Sequence, residues 1–223
     1  MHDFTAAIFD LDGTLLDSMH VWEKIDFDFL SKRGIPVPED YAQAIAPLSF
    51  QQVARYTIDR FSLKTTEEEI MREWQDMARH EYANEIRLKN HAFEYLTALK
   101  QRGVKLATAT SLHPELSEPV LRNNGIHDFF DVQCSTDEVG RGKEFADIFL
   151  LAAERLNIQA SACVVFEDIL PAVRSAKRAG MRVYCMQDDA SSRDEAELRK
   201  IADGYFRDFR EAPLPPPKSI ERE

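Results

Sequence analysis

Positive charge is in short supply in this chain. Its 28 Lys and Arg face 39 Asp and Glu, a formal net charge of −11, which disfavours nucleic acid or an anionic membrane surface as a partner. An anionic ligand must then be drawn by local charge. Cysteine is also scarce: Cys134, Cys163 and Cys185 are an odd number without metal-type spacing, and two lie inside strand patterns, so reduced structural thiols are expected. No apolar stretch approaches the length that spans a bilayer, no charged-then-apolar leader precedes the first apolar run, and no internal repeat is found. A cytoplasmic location with no membrane contact is the expectation. The 44% hydrophobic content over 223 residues is ordinary for a soluble protein and suffices for one full core plus a smaller unit.

The most informative stretch follows Ala6-Ala7-Ile8-Phe9, a short apolar run that ends in Asp10-Leu11-Asp12-Gly13-Thr14 and continues Leu15-Leu16-Asp17-Ser18. It reads as a buried parallel strand delivering two carboxylates to the carboxyl edge of a sheet. Carboxylates this close repel, a situation relieved by a cation between them or by a proton on one. Magnesium takes one or two carboxylates and leaves positions open for a phosphate oxygen, and Asp10 is then placed to attack phosphorus. The alternative is a solvated Asp-Gly turn; the upstream strand, Thr14 and the Leu-Leu-Asp-Ser continuation weigh against it.

Three later sites supply partners. Val104–Ala109 is an apolar run ending in Thr110-Ser111, hydroxyls suited to a transferring phosphoryl oxygen or, for Ser111, to capping a helix that begins near Pro114. Gly140-Arg141-Gly142-Lys143 is a basic turn before an amphipathic helix over residues 144–156 that includes Phe145, Ile148 and Phe149; Lys143 is either a phosphate-neutralising ammonium or a solvated loop lysine. Ala162–Phe166 ends in Glu167-Asp168, ahead of a helix closed by Gly180. Asp168 is the natural third metal group and Glu167 a neighbour holding a metal-bound water, unless both acids serve only a helix N-terminus.

This ordered set resembles the haloacid dehalogenase (HAD) superfamily, in the subgroup of small phosphatases and β-phosphoglucomutase-like enzymes. Asp10-Leu11-Asp12-Gly13-Thr14 is similar to its first motif, Thr110 to its second, Lys143 to its third and Glu167-Asp168 to its fourth. The resemblance implies that Asp10 is the nucleophile that becomes an aspartyl phosphate and Asp12 the general acid and base. It implies that Thr110, with Ser111, and Lys143 bind phosphate, and that Asp10, the Asp12 carbonyl and Asp168 hold Mg2+ with Glu167 beside them. Family dehalogenases and phosphonate hydrolases lack the second acid, so the retained Asp12 points to a phosphate ester, whose leaving oxygen needs a proton. Two departures stand out. Relatives often carry Gly-Lys-Pro-x-Pro-Asp where Glu144-Phe145-Ala146-Asp147 follow Lys143, and Ser and Gly where Ile169 and Ala172 stand here.

Between the first two motifs lie roughly 90 residues, more than one crossover needs. Their helical periodicity and punctuation by Gly34, Pro36, Pro38, Pro47 and Thr65-Thr66 predict an inserted helical cap over residues 16–87, on a Rossmann-like α/β parallel-sheet core of residues 1–15 and 88–212, with a disordered tail over 213–223. His20 and Trp22 begin the cap close to the motif and are candidate substrate contacts, although a Trp on an apolar stripe is more often core. A His occupies what looks like the Trp22 position in mutase-like relatives, which argues against a mutase. His113 belongs more naturally to a helix-entry loop than to the phosphate, and Glu67-Glu68-Glu69 to a solvated helix N-terminus. Cap opening and closure are expected from the insertion and the resemblance. The function expected is a magnesium-dependent phosphatase acting on a small phosphorylated metabolite such as a sugar phosphate, as a monomer or weak homo-oligomer; the alternatives are a phosphomutase and a non-catalytic binding module.

Overall fold

The computed structural model describes residues 3–216. Strand β1 (Ala6–Phe9) is followed by four helices, α1 (Met19–Ser31), α2 (Tyr41–Ile45), α3 (Phe50–Phe61) and α4 (Glu67–Asn84). Strands and helices then alternate: α5 (Ala92–Gln101), β2 (Lys105–Thr110), α6 (Pro114–Asn123), β3 (Val132–Ser135), α7 (Thr136–Val139) and α8 (Asp147–Leu156). Next come β4 (Cys163–Glu167), α9 (Leu170–Arg178), β5 (Arg182–Met186), α10 (Glu195–Ile201) and β6 (Gly204–Phe206). All six strands form one parallel sheet in the order β3-β2-β1-β4-β5-β6, the α/β architecture that the alternating pattern predicts. Among the described residues no helix is long and apolar enough to cross a membrane.

The strands read as unbroken apolar runs because both faces of the sheet are covered. Ala7, Phe9, Val164, Phe166 and Tyr184 face α5, α6 and the inserted helices. Ala6, Ile8, Val165 and Val183 face α8, α9 and α10, as the two-residue side-chain period requires. At the centre of the first face the Phe166 ring stacks on Phe9 at 4.6 Å and is surrounded by Tyr95, Tyr184, Phe206 and Phe209. Cys134, Cys163 and Cys185 are all buried free thiols.

The chain leaves the sheet after Leu16 and returns at Leu88 by two antiparallel passes. Asp17 N donates to the Arg87 carbonyl at 3.0 Å and Lys89 N to the Leu15 carbonyl at 2.8 Å. The 67–69 acidic run is the first turn of α4, where Thr66 and Glu69 form a capping box, and Ser49 with Gln52 does the same for α3. The inserted helices share one apolar cluster with the sheet through Ile25, Phe29, Trp74 and Tyr82.

Phe129 closes a 3-10 turn and β3 begins at Val132, where Asp131 turns its carboxylate back to accept from Leu106 N at 2.8 Å. Two expectations are corrected. Phe145 is not on the α8 face; the helix starts at Asp147 and Phe145 is exposed in the preceding turn. The start of the expected disordered tail is held: the Pro213 and Pro215 carbonyls accept from Tyr95 OH at 2.7 Å and Arg102 Nε at 3.0 Å. Residues 217–223 of that tail lie outside the described residues.

Candidate active site

The two central strands β1 and β4 mark the point where strand order reverses, and a crevice opens there at the carboxyl edge. Asp10 N donates to the Phe166 carbonyl at 3.0 Å, so Asp10 extends the β1–β4 ladder and its side chain is presented at that edge, 5% exposed. The turn beyond it is tight: Leu15 N and Leu16 N both donate to the Leu11 carbonyl, and Gly13 adopts φ +77. A Cβ on Gly13 would stand 2.5 Å from Asp168 Oδ2, so glycine is required twice over, by conformation and by the close approach of Asp168. Thr14 Oγ1 donates to Asp168 Oδ1 at 3.0 Å. The first motif thus orients the acid at the end of β4.

Lys143 enters the same point. Its Nζ donates to Glu167 Oε1 at 2.6 Å and to Asp10 Oδ1, and it is 3% exposed. Burial works against its charge, but Asp10 and Glu167 outweigh that and hold the ammonium above its ordinary range. The turn lacks the prolines of relatives, yet it is tied down by other means. Lys143 N donates to the Pro47 carbonyl at 2.9 Å and Ser175 Oγ to the Lys143 carbonyl at 2.6 Å. A Cβ on Gly142 would collide with the Pro47 carbonyl oxygen, so that glycine lets the inserted segment touch the lysine loop.

Asp10, Glu167 and Asp168 each bring a carboxylate oxygen within 4.8 Å of the others, all three buried. Burial, then the charges of Glu167 and Asp10, push Asp168 well above the usual carboxylate range. Three carboxylates against one ammonium leave an excess negative charge, and an all-oxygen donor set suits a hard divalent cation such as magnesium. The residues fit the metal. Within the trio Glu167 is already engaged: Oε1 accepts from Lys143, and Oε2 accepts from Asp168 N at 2.9 Å and Ile169 N at 3.3 Å. Glu167 therefore orients Lys143 and the turn beyond β4 from within the acidic cluster, and Asp10 and Asp168 are the members that could hold an ion directly.

The Asp12 carboxyl stands apart from the trio. Its Oδ1 accepts from Ser18 Oγ at 2.5 Å and Tyr82 OH at 2.6 Å. Burial raises its pKa to about 6, with the Ser18 and Tyr82 hydrogen bonds pulling the other way.

A cavity of about 600 Å³ lies over these groups, lined on the sheet side by Asp10, Asp12, Thr110, Ser111, Lys143 and Asp168. The inserted helices line it with Trp22, Glu23, Asp26, Phe50 and Trp74, and the segment from Asp189 to Asp194 closes one flank. Trp22 is both wall and structure, since its Nε1 also donates to Tyr82 OH. His20 is exposed and does not line the cavity, which corrects its candidacy: α1 begins at Met19 and turns that side chain to solvent while Trp22 faces inward. Helix α6 is capped by His113, whose Nδ1 accepts from Glu115 N at 3.3 Å, and not by Ser111. Thr110 Oγ1 accepts from Leu112 N at 3.0 Å, so its hydroxyl hydrogen remains available to a phosphate oxygen. Tyr82 and the Asp189–Asp194 flank had no sequence signal; Tyr82 is one more aromatic on the buried stripe of α4.

Asp26 gives a test of the cavity wall. Burial, then Glu23, raises its pKa to about 7. The folded state thus binds a proton that the unfolded chain releases near pH 4, so this group costs stability as pH rises from about 4 through 7. Asp26→Asn is expected to raise the melting midpoint at pH 8, by roughly 3 °C for each ~1 kcal/mol relieved, and to leave it nearly unchanged at pH 4. An equal shift at both pH values would show that the carboxyl is not desolvated.

Comparison with known proteins accords with the site. The model of the haloacid dehalogenase-like hydrolases matches residues 4–180. The chain belongs to that family. The matched range of this HAD hydrolase includes the sheet-edge segment from Asp10 to Asp168. Phosphorylated carbohydrates phosphatase of Thermotoga maritima is 29% identical over 180 residues, covering 80% of this chain and 83% of that protein. Fructose-1-phosphate phosphatase YqaB of Escherichia coli is 26% identical over 180 residues, covering 80% and 94%. In three dimensions the fold is shared with CbbY from Rhodobacter sphaeroides, solved in complex with phosphate, at a TM-score of 0.81 and 24% identity over 93% of this chain and 96% of that one.

Proposed function

We propose that this HAD hydrolase is a magnesium-dependent phosphatase of a small phosphorylated metabolite, a sugar phosphate in the first instance, working through an aspartyl phosphate on Asp10. The observation that carries the reading is the convergence of the Asp10 carboxylate, the Lys143 ammonium and the Asp168 carboxylate beneath one cavity, with the Asp12 carboxyl two residues from Asp10. The names of the two curated relatives support it at the level of phosphorylated sugars.

Lys143 and the Thr110 hydroxyl hold the phosphoryl oxygens, Lys143 as a buried charge aligned by Glu167. Asp10 is the nucleophile, and Asp12 protonates the leaving oxygen and then takes a proton from the attacking water. Asp10, Asp168 and the Asp12 carbonyl would hold magnesium, which would supply neutralisation of the phosphoryl charge. The inserted helices, joined to the sheet by the paired passes at Leu16 and Leu88, form the cap that excludes water during transfer.

The test is phosphate release from a panel of phosphorylated metabolites with and without Mg2+, beside Asp10→Asn and with product identity checked. Release that needs Mg2+ and is lost in Asp10→Asn is the expected result. Isomerised sugar phosphate without released phosphate would overturn the reading in favour of a mutase, and no turnover of either kind in favour of a binding module.

A further inference from the structure

The Asp12 carboxyl has two close donors, both at the same oxygen, with the Trp22 indole a weaker influence beside them. Ser18 Oγ and Tyr82 OH both donate to Oδ1, and among the described residues no donor reaches Oδ2. A protonated carboxyl whose one oxygen already accepts two O–H bonds carries its own proton on the other. We propose that Tyr82 is a positioning residue for acid catalysis: with Ser18 it occupies Oδ1, and so keeps the Asp12 proton on Oδ2, the oxygen left for the leaving group. This rests on the phosphatase reading above.

The arrangement is built for aim. Tyr82 is fully buried, at the end of α4, 70 positions along the chain from Asp12. Its hydroxyl is both donor and acceptor, giving its hydrogen to Asp12 and receiving the one from Trp22 Nε1 at 2.5 Å. The indole fixes the direction of the phenol hydrogen, because it has a donor and no acceptor. Trp22 lines the cavity from α1, so the chain Trp22–Tyr82–Asp12 joins two inserted helices to the acid. In the transfer step the bond from phosphorus to the leaving oxygen breaks as a bond from phosphorus to an Asp10 oxygen forms. The Oδ2 proton passes to the leaving oxygen, and Asp12 is left as a carboxylate held by the same two donors.

Leaving-group dependence separates positioning from a merely structural role. An alkyl phosphate leaves as a strongly basic alkoxide unless it is protonated, whereas p-nitrophenolate leaves without help. Because kcat/KM reports steps through departure of the leaving group, Tyr82→Phe is expected to lower it by about tenfold or more for glycerol phosphate, a fraction of what general acid catalysis contributes, and by less than about threefold for p-nitrophenyl phosphate. Ser18→Ala, which removes the other donor to Oδ1, is expected to show the same asymmetry and serves if Tyr82→Phe does not fold. Equal losses on both esters, or no loss on either, in a wild-type enzyme that hydrolyses both would overturn the Tyr82 assignment alone. A wild-type protein that releases phosphate from neither ester nor from any member of the metabolite panel, or an Asp10→Asn variant that retains release, would overturn the phosphatase reading and the assignment with it.

Discussion

Lys143→Met lowers phosphate release by about two to three orders of magnitude, the loss expected when one preorganised donor to a transferring group is removed. It also makes stability depend more steeply on pH, and on metal, than in the wild type. In the folded chain Lys143 Nζ bonds Glu167 Oε1 and Asp10 Oδ1, with the lysine and both acids almost fully withdrawn from water. Exposed pairs of this kind contribute little, but removing one partner of a buried pair leaves charge without compensation and costs about 3–5 kcal/mol. Methionine fills the space without the charge. Glu167, already raised above the usual carboxylate range by burial, then loses the neighbour that holds it down and rises further. A carboxyl raised in the folded state stabilises below its unfolded pKa and loses that contribution as pH rises through the folded value. The variant therefore lies far below the wild type in urea unfolding at pH 8, closer at pH 5, and closer again when Mg2+ is added to replace the missing charge. A deficit independent of both pH and Mg2+ would mean that packing, and not charge, is what Lys143 supplies.

Phe166→Ala costs about 3–5 kcal/mol, the range for an aromatic removed from a well-packed core. Phe166 is 0% exposed, stacked on Phe9 with an interplanar angle of 7°, and in edge or tilted contact with Tyr95, Phe206 and Phe209. Flanked by β1 and β5, strand β4 has no room to collapse around the void, which places the cost toward the upper end of the range. For a fold whose stability is on the order of 10 kcal/mol this is a large fraction, and the melting midpoint falls by roughly 10 °C. Because the next two residues are Glu167 and Asp168, catalysis is lost at lower temperature along with the strand. Phe27→Ala is the matched control: that ring is 61% exposed on α1, and its removal changes stability by less than about 0.5 kcal/mol. Urea midpoints with unchanged slopes measure both; equal shifts would place the core elsewhere.

The sheet was legible because a parallel strand covered on both faces is an apolar run with an abrupt end. β1, β2, β4 and β5 all have that form, and β1, β2 and β4 end in the chemistry of the site: Asp10, Thr110 and Glu167-Asp168 respectively. The weakly patterned strands were less legible. β6 is three residues at the sheet edge with Gly204 among them, and β3 begins three residues after Phe129 because the Asp131 carboxylate pairs with the backbone of β2. The inserted helices were legible from spacing and from helical period. Their inward face was not, as the opposite fates of His20 and Trp22 show: two residues apart, one exposed and one in the cavity wall.

By itself, then, the sequence determined the order of the sheet-edge residues and the conformation of the first turn, because Asp10, Gly13 and Thr14 are near neighbours whose geometry follows from a strand end and a glycine with positive φ. It determined, too, that these groups needed a basic partner. Tertiary structure alone decided which atom each one meets. Lys143 bridges Asp10 and Glu167, Thr14 reaches Asp168 across 154 positions, and Tyr82 closes on Asp12 from the end of α4. The physical reason is range. A turn is set by dihedral preferences within a few residues, whereas a hydrogen bond between distant segments forms only after the apolar faces of α1, α4 and the sheet have packed and fixed the distance between them.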